Sequence, residues 1–310
     1  MSDDLPTEDL QEIASRFSSL LRILTHGNGG ERPRKTRDML IDRLRDALDR
    51  RLPQLPSENP AFIARSFLLE ETVDRRARTE IGRLRHRDLG TLHALKTVPA
   101  DRVADAVDRD LLLREARIGM ALRHPCLVQT QMVLRLADGR PAIVMEWAGQ
   151  PLSERLSSSL VSISAIIAGM RRLLRGLRAI HDTGYVHCDI SPGNLLLPDD
   201  DFSGLKIADF GVALERGKRH RDLDIRITGT PSFMAPEQAD DAAADPRNDL
   251  YCAGRVLSLL LERCQETGND AEGLKALAGH LSASDASMRP ASAGTALGLL
   301  DEAERNIARS

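Results

Sequence analysis

Aromatic side chains are scarce in this 310-residue chain: six Phe, two Tyr and one Trp, 3% in all. So few rings argue against a stacking platform for single-stranded nucleic acid. They also leave the core to Leu, Ile, Val and Ala. Lysine is rarer still, with only Lys35, Lys96, Lys206, Lys218 and Lys275 among 43 Lys and Arg. A reaction that needs a lysine therefore has five candidates. The four cysteines, Cys126, Cys188, Cys252 and Cys264, form no C-x-x-C pair. That argues against a zinc knuckle or a redox motif, and scattered thiols fit a reducing compartment. Positive charge is not in excess: the net charge is -3, so no broad basic field attracts nucleic acid or an anionic membrane. The longest uncharged apolar run, Leu160 to Met170, is too short to cross a bilayer and contains Ser162 and Ser164. The first ten residues are acidic and do not read as a signal peptide. The expected location is cytoplasmic, with export into another cell left open.

What is present is the composition of a globular chain, 42% hydrophobic and 29% charged, long enough for one large domain or two ordinary ones. Residues 1–60 read as a helical extension and a Pro-rich linker. Leu10, Ile13, Phe17, Leu20, Leu21 and Leu24 recur at helical spacing after a candidate cap at Thr7, and Gly27 and Gly30 supply a stop. A second stripe, Leu40, Leu44, Leu48 and Leu52, ends at Pro53, Pro56 and Pro60. The helices within 7–52 are expected to bury their Leu faces on the rest of the chain or on a partner. Beyond Ala61 come β-like pieces, Phe62–Leu69, Leu92–Val98, Val128–Leu136 and Ala142–Glu146, with one helical stretch, Ala104–Leu122. After Pro151 the pattern is mostly helical, apart from a hairpin-like interval at Asn194–Leu197 and Leu205–Ala208. A β-rich half with one helix, then a larger helical half, is an α+β two-lobe plan.

The chemistry concentrates in Tyr185-Val-His-Cys-Asp-Ile-Ser-Pro-Gly-Asn-Leu-Leu-Leu197. An Asp five residues before an Asn, followed by an apolar strand, puts a carboxylate and an amide on one tight loop. Such a pair suits phosphoryl transfer, with Asp189 taking or orienting a hydroxyl proton and Asn194 holding a magnesium ion. Asp and Asn are also ordinary turn residues. Support follows in Ile207-Ala-Asp-Phe-Gly211, then Gly229-Thr-Pro-Ser-Phe-Met-Ala-Pro-Glu237, Asp249-Leu-Tyr-Cys-Ala-Gly254 and Arg289-Pro290. With these motifs in this order, the chain resembles the eukaryotic-type protein kinase family, and more closely its serine/threonine branch.

The resemblance implies a two-lobe kinase fold over 61–305, with a small lobe at 61–146 and a larger one at 151–305. It implies ATP and Mg2+ as cofactors and Ser/Thr hydroxyls of a protein as acceptors, with neither nucleic acid nor membrane as partner. Asp189 would be the catalytic base, Asn194 and Asp209 the metal ligands. Thr230 would contact the catalytic loop, Asp249 would hold its backbone, and Glu237 and Arg289 would form a buried ion pair. His93-Ala-Leu-Lys96 matches the third-strand motif, so Lys96 would hold phosphates, paired with Glu115. Val144-Met-Glu-Trp-Ala148 resembles the inter-lobe hinge, with Met145 at the gatekeeper place. The backbones of Glu146 and Ala148 would bind adenine between Ile81, Ala94 and Leu196.

Four departures stand out. The glycine places of the phosphate loop fall on Asp74, Arg76 and Thr79, with Arg75, Arg76 and Arg78 able to supply positive charge instead. Ser191 stands where such kinases carry lysine, keeping only a hydroxyl donor for the transferring group. Cys188 replaces the arginine that clasps a phosphorylated activation loop, so phosphorylation at Thr228 is not the expected main switch. Gly119 leaves an expected gap beside Glu115 that should loosen its helix. The basic stretch from Arg216 to Arg221 reads as a solvated loop, an acidic-substrate reader or a phosphate site. His26, His86 and His280 have no metal-ligand spacing. A pseudokinase scaffold and a small-molecule phosphotransferase stay open beside the enzyme. The Gly229–Glu237 segment argues against the latter.

Overall fold

The computed structural model describes residues 7–27, 30–34, 36–37, 40, 62–64, 66–223, 230–265 and 271–309. Most of the expected second N-terminal helix, the linker prolines, Thr228 and Gly229 lie outside these residues. The chain divides into two compact units, Met1–Ala61 and Phe62–Ser310.

In the first unit, α1 (Thr7–Thr25) runs into a short antiparallel pair, β1 (His26–Gly27) and β2 (Gly30–Glu31). Arg32 ties the pair to the helix end through the Ile23 and His26 carbonyls, at 3.3 and 3.1 Å. Phe17, Leu21 and Ile23 on α1 are exposed.

The second unit is α+β with two lobes. The small lobe is an antiparallel sheet in the order β3-β4-β5-β6-β8-β7. Its strands are β3 (Phe62–Ile63), β4 (Phe67–Arg75), β5 (Glu80–His86), β6 (Leu92–Thr97), β7 (Thr130–Arg135) and β8 (Pro141–Glu146). Three of the expected strands are there; the fourth, Phe62–Leu69, is instead two antiparallel strands with Ile63 opposite Phe67, the second running on to Arg75, and β5 lies unannounced beside it. Its buried residues are only Gly82 and Leu84, and its arginines pair with Glu70 and Glu71 across the sheet. A strand with one large apolar side chain on its buried face shows little alternation. Helix α2 (Ala106–Ala121) packs on β7 and β8. Asp105 caps it by accepting the Asp108 N–H.

The large lobe is built on α4 (Ile163–Asp182), capped by Ser162. Ile163, Ile166, Ile167, Met170, Leu173, Leu174, Leu177 and Ile180 form its buried stripe. Before it come β9 (Gln150–Pro151) and α3 (Leu152–Ser158). After it come β10 (Tyr185–Val186), β11 (Leu195–Leu197), β12 (Lys206–Ile207) and β13 (Leu214–Glu215), with β10 paired to β13 and β11 to β12. Helices α5 (Pro236–Ala239), α6 (Pro246–Glu262), α7 (Glu272–Leu281) and α8 (Ala293–Ile307) complete the lobe. Asp245 and Asn248 close a capping box on α6. Among the buried apolar side chains described, only Phe67, Phe202 and Phe210 are aromatic; aliphatic packing carries the rest.

Candidate active site

Strand β11 pairs with β12, Leu195 opposite Ile207, and the Ala208 N–H donates to the Asn194 carbonyl at 2.8 Å. This hairpin sets Asn194 beside Asp209. Strand β6 brings Lys96 in from the small lobe. Lys96 Nζ lies 2.8 Å from Glu115 Oε1 on α2 and 2.9 Å from Asp209 Oδ1. Lys96 and Glu115 are buried. Burial pulls the Lys96 ammonium down, but Asp209 and Glu115 outweigh it and hold the group well above its usual range. Burial pushes Glu115 up to about 7 against the opposing pull of Lys96. Burial also raises Asp209, yet Lys96 and the Gly211 N–H overcome it and hold it at about 2.

Asp209 sits at φ 68°, a left-handed conformation costly for a residue with a Cβ. Its Oδ1 takes both Lys96 and the Gly211 N–H, which leaves Oδ2 for another partner. Asn194 Nδ2 donates to the Asp189 carbonyl and to Asp189 Oδ2, at 2.9 and 2.8 Å, so the Asn194 amide oxygen is spare. Two hard oxygen donors on facing loops suit Mg2+, which takes few protein ligands and completes its shell with phosphates and water. No cluster of three or more His, Cys, Asp or Glu side chains suited to a metal occurs among the described residues.

Asp189 also accepts the Thr230 N–H at Oδ1, at 3.1 Å. Burial raises its carboxyl above the usual value and the nearby Asp209 charge adds to that, while His187, the Thr230 N–H and Asn194 pull the other way. The loop itself is pinned from below. Buried Asp249 accepts the His187 and Cys188 N–H groups at 2.8 and 2.9 Å, and His181 Nε2 at 2.9 Å. Cys188 is at φ 67°, and the Gln238 amide donates to its carbonyl at 2.6 Å. Burial pushes the Cys188 thiol well up, so it is inert as a nucleophile.

Two cavities meet here. One, about 330 Å3, is lined by Ile81, Ala94, Lys96, Glu115, Met145, Glu146, Ala148, Asn194, Leu196 and Asp209. All six expected adenine-contact residues are in this wall. The other, about 520 Å3, is lined by Asp189, Ser191, Thr230, Leu156, Phe233 and Leu259 among others. Arg76, Asn194, Ser153 and Gly193 line both.

Two of the departures and the basic stretch take a definite form. Of the hairpin arginines, Arg75 pairs with Asp101 at 3.4 Å and Arg78 with Asp108 at 3.3 Å; only Arg76 faces the cleft, 2.8 Å from Asp74. The expected gap at Gly119 is absent. A Cβ there would collide with Thr130 Oγ1 and touch Phe210, so the buried Thr130 side chain fills the space. The Arg216–Arg221 stretch is docked: Gly217 N–H donates to Ala244 O and Ala244 N–H to Lys218 O, both at 2.8 Å. Glu237 and Arg289 do pair, at 2.6 Å, with the arginine fully covered and the glutamate partly exposed.

Sequence reasoning passed over several residues. His187 is buried between Phe210 and the loop; its Nε2 lies 3.0 Å from the Ala208 carbonyl and its Nδ1 accepts the Asp189 N–H. It sits inside the quoted catalytic motif, so position alone could have found it. Lys206 holds both oxygens of Glu146 at 2.8 Å, and its rarity was the available signal. Gly149 is at φ 79° and Leu197 O crowds the place a Cβ would take, so only glycine fits.

A model of the protein kinase domain matches residues 77–283. The chain belongs to the protein kinase family. Its kinase domain is 38% identical over 159 residues to the DNA damage-responsive serine/threonine-protein kinase RqkA of Deinococcus radiodurans, covering 48% of this chain and 23% of that protein. It is 35% identical over 182 residues to serine/threonine-protein kinase PknL of Mycobacterium bovis, covering 57% and 45%. The chain thus spans less than half the length of these curated relatives. The PknI kinase domain of Mycobacterium tuberculosis shares the fold, with a TM-score of 0.58 at 19% identity over 81% of this chain and all of that one. No helix among the described residues is long and apolar enough to cross a membrane.

Proposed function

We propose that this chain transfers the γ-phosphate of Mg-ATP to a Ser or Thr hydroxyl of a protein substrate, through a catalytic domain spanning 61–305. The observation that carries the reading is the convergence of Lys96, Glu115, Asp189, Asn194 and Asp209 on one junction, where an apolar-walled cleft meets a more open groove. Adenine lies between Ile81, Ala94 and Leu196 beside Met145, donating to the carbonyl of Glu146, whose own N–H is taken by Gln129 O, and accepting from the Ala148 N–H. The Glu146 carboxylate is occupied by Lys206, so only its main chain is on offer. Lys96, kept charged and aimed by Glu115, grips the α- and β-phosphates. Asn194 and Asp209 would hold Mg2+, which neutralises charge on the phosphates. Asp189 orients the acceptor hydroxyl and takes its proton, at a carboxylate whose raised affinity for protons suits a base. Ser191 donates a hydrogen bond where a lysine would add charge, and Thr230 steadies Asp189 from the acceptor side.

The test is transfer of labelled phosphate from ATP to the protein itself and to generic protein substrates. Wild type should transfer; Asp189→Ala and Asp209→Ala should not, while both keep the wild-type fold by circular dichroism. One observation favours a second reading, a pseudokinase scaffold: the Asp74 carboxylate lies in the cleft wall. Absence of transfer, together with no thermal stabilisation by Mg-ATP, would replace the enzyme reading with that one.

A further inference from the structure

Three successive carbonyls follow the Asp209-Phe210 turn, and each is taken by a side chain. Arg114 on α2 donates to Gly211 O at 3.4 Å and, more closely, to Ala213 O. His220 Nε2 lies 3.2 Å from Val212 O. His220 is buried, and its own N–H donates to Asp241 Oδ1 at 3.2 Å. Asp241 also holds Arg221 at 2.7 Å. The same stretch is stitched to the loop before α6 by the Gly217 and Lys218 backbone exchange with Ala244. Strand β13 pairs with β10, just ahead of the catalytic loop.

All of these contacts join groups of the chain itself. A guanidinium forked onto two carbonyls makes charge-assisted bonds that resist opening in a half-buried place. Arg114 lies near Cys188, so it works beside the spot where Cys188 offers no cation. Arg114 is also adjacent in sequence to Glu115, so one helix turn grips Lys96 and the Asp209 turn together.

We propose that Arg114 is a positioning residue for the transfer: it fixes the turn that carries Asp209, with His220 and Asp241 closing the far side, so that the segment is held without being phosphorylated. The kinetic part rests on the function proposed above; the structural part does not.

The experiment uses the full chain before and after phosphatase treatment. Amide exchange over 211–216 is read by mass spectrometry, and kcat and KM are measured separately. Wild type should show the same slow exchange and the same kcat in both forms. Arg114→Met should raise exchange there about 10-fold, as an opened local segment does. It should lower kcat about 10- to 100-fold with KM for ATP within about 3-fold, because misplacement of a reacting group is felt mainly in the chemical step. Arg114→Lys, which keeps the charge but not the fork, should fall between, and it is read alone if Arg114→Met does not fold. Wild-type exchange in the variants overturns the proposal, as does looser exchange in phosphatase-treated wild type. If wild type shows no transfer, the function proposed above fails while the exchange result still decides the role of Arg114.

Discussion

The β4–β5 hairpin and the Asp189–Asn194 loop face each other across one cleft, yet they are held in opposite ways. The loop is over-determined: Asp249 holds two of its N–H groups, Gln238 a carbonyl, and Asn194 and Thr230 the Asp189 carboxylate. The hairpin is held by two exposed ion pairs, Arg76 with Asp74 and Arg75 with Asp101, and by one pair in which Arg78 reaches buried Asp108. Exposed pairs of this kind are worth about 0–1 kcal/mol each. Precision is concentrated where a proton is proposed to move, and tolerance where phosphates are proposed to be covered. That contrast fits a family pattern kept at Asp189 and Asn194 in one wall and absent from the hairpin in the other.

The strongest challenge to this contrast is Asp189→Asn. Activity should drop by more than about 100-fold, the loss expected for a positioned base, with little change in melting temperature. Next is Lys96→Met, which leaves buried Glu115 and partly buried Asp209 without their cation. Stability should fall by about 3–5 kcal/mol, read in urea, and phosphate transfer should be lost as well. Arg289→Ala comes third. Its guanidinium is buried against Glu237 and stacks 4.9 Å over Tyr251. Removing it should cost about 3 kcal/mol, which at about 2–4 °C per kcal/mol is a clear shift in Tm. The Mg-ATP affinity of the remaining folded protein should not change.

Much of the second unit could be read from the chain. Asp189, Asn194 and Asp209 lie in short local motifs whose spacing is set by one loop and one hairpin. Lys96 stands out because lysine is rare. What could not be read depends on distant partners. Arg114 reaches carbonyls nearly a hundred residues on, and a carbonyl leaves no mark in the sequence. Gly119 looks like a missing side chain until Thr130, from strand β7, is placed against it. Strand β5 escaped because its charges are satisfied across the sheet rather than by alternation.

Two smaller tests sharpen the comparison. The pH dependence of kcat/KM should show an acid limb above the ordinary aspartate value of 3.8, because burial raises Asp189. A base works only when deprotonated, so activity is lost as pH falls through that raised value. A limb at or below the ordinary value would remove Asp189 from the role of base. Last, Asp74→Gly relieves the carboxylate in the cleft wall and loosens the backbone. KM for ATP should fall about 2- to 5-fold, in keeping with one exposed charge, with kcat unchanged. A large change in kcat would show that the hairpin is as exacting as the loop opposite.

The fit of Gly119 against Thr130 makes these two positions one inheritable unit. A methyl added to the helix collides with the strand, and shortening the strand side chain alone leaves a hole behind Phe210. Either step is harmful by itself, while a paired exchange that moves the bulk from strand to helix restores contact. Such a pair drifts only in tandem, so descendants of this chain should divide into two groups at these positions with few intermediates between them.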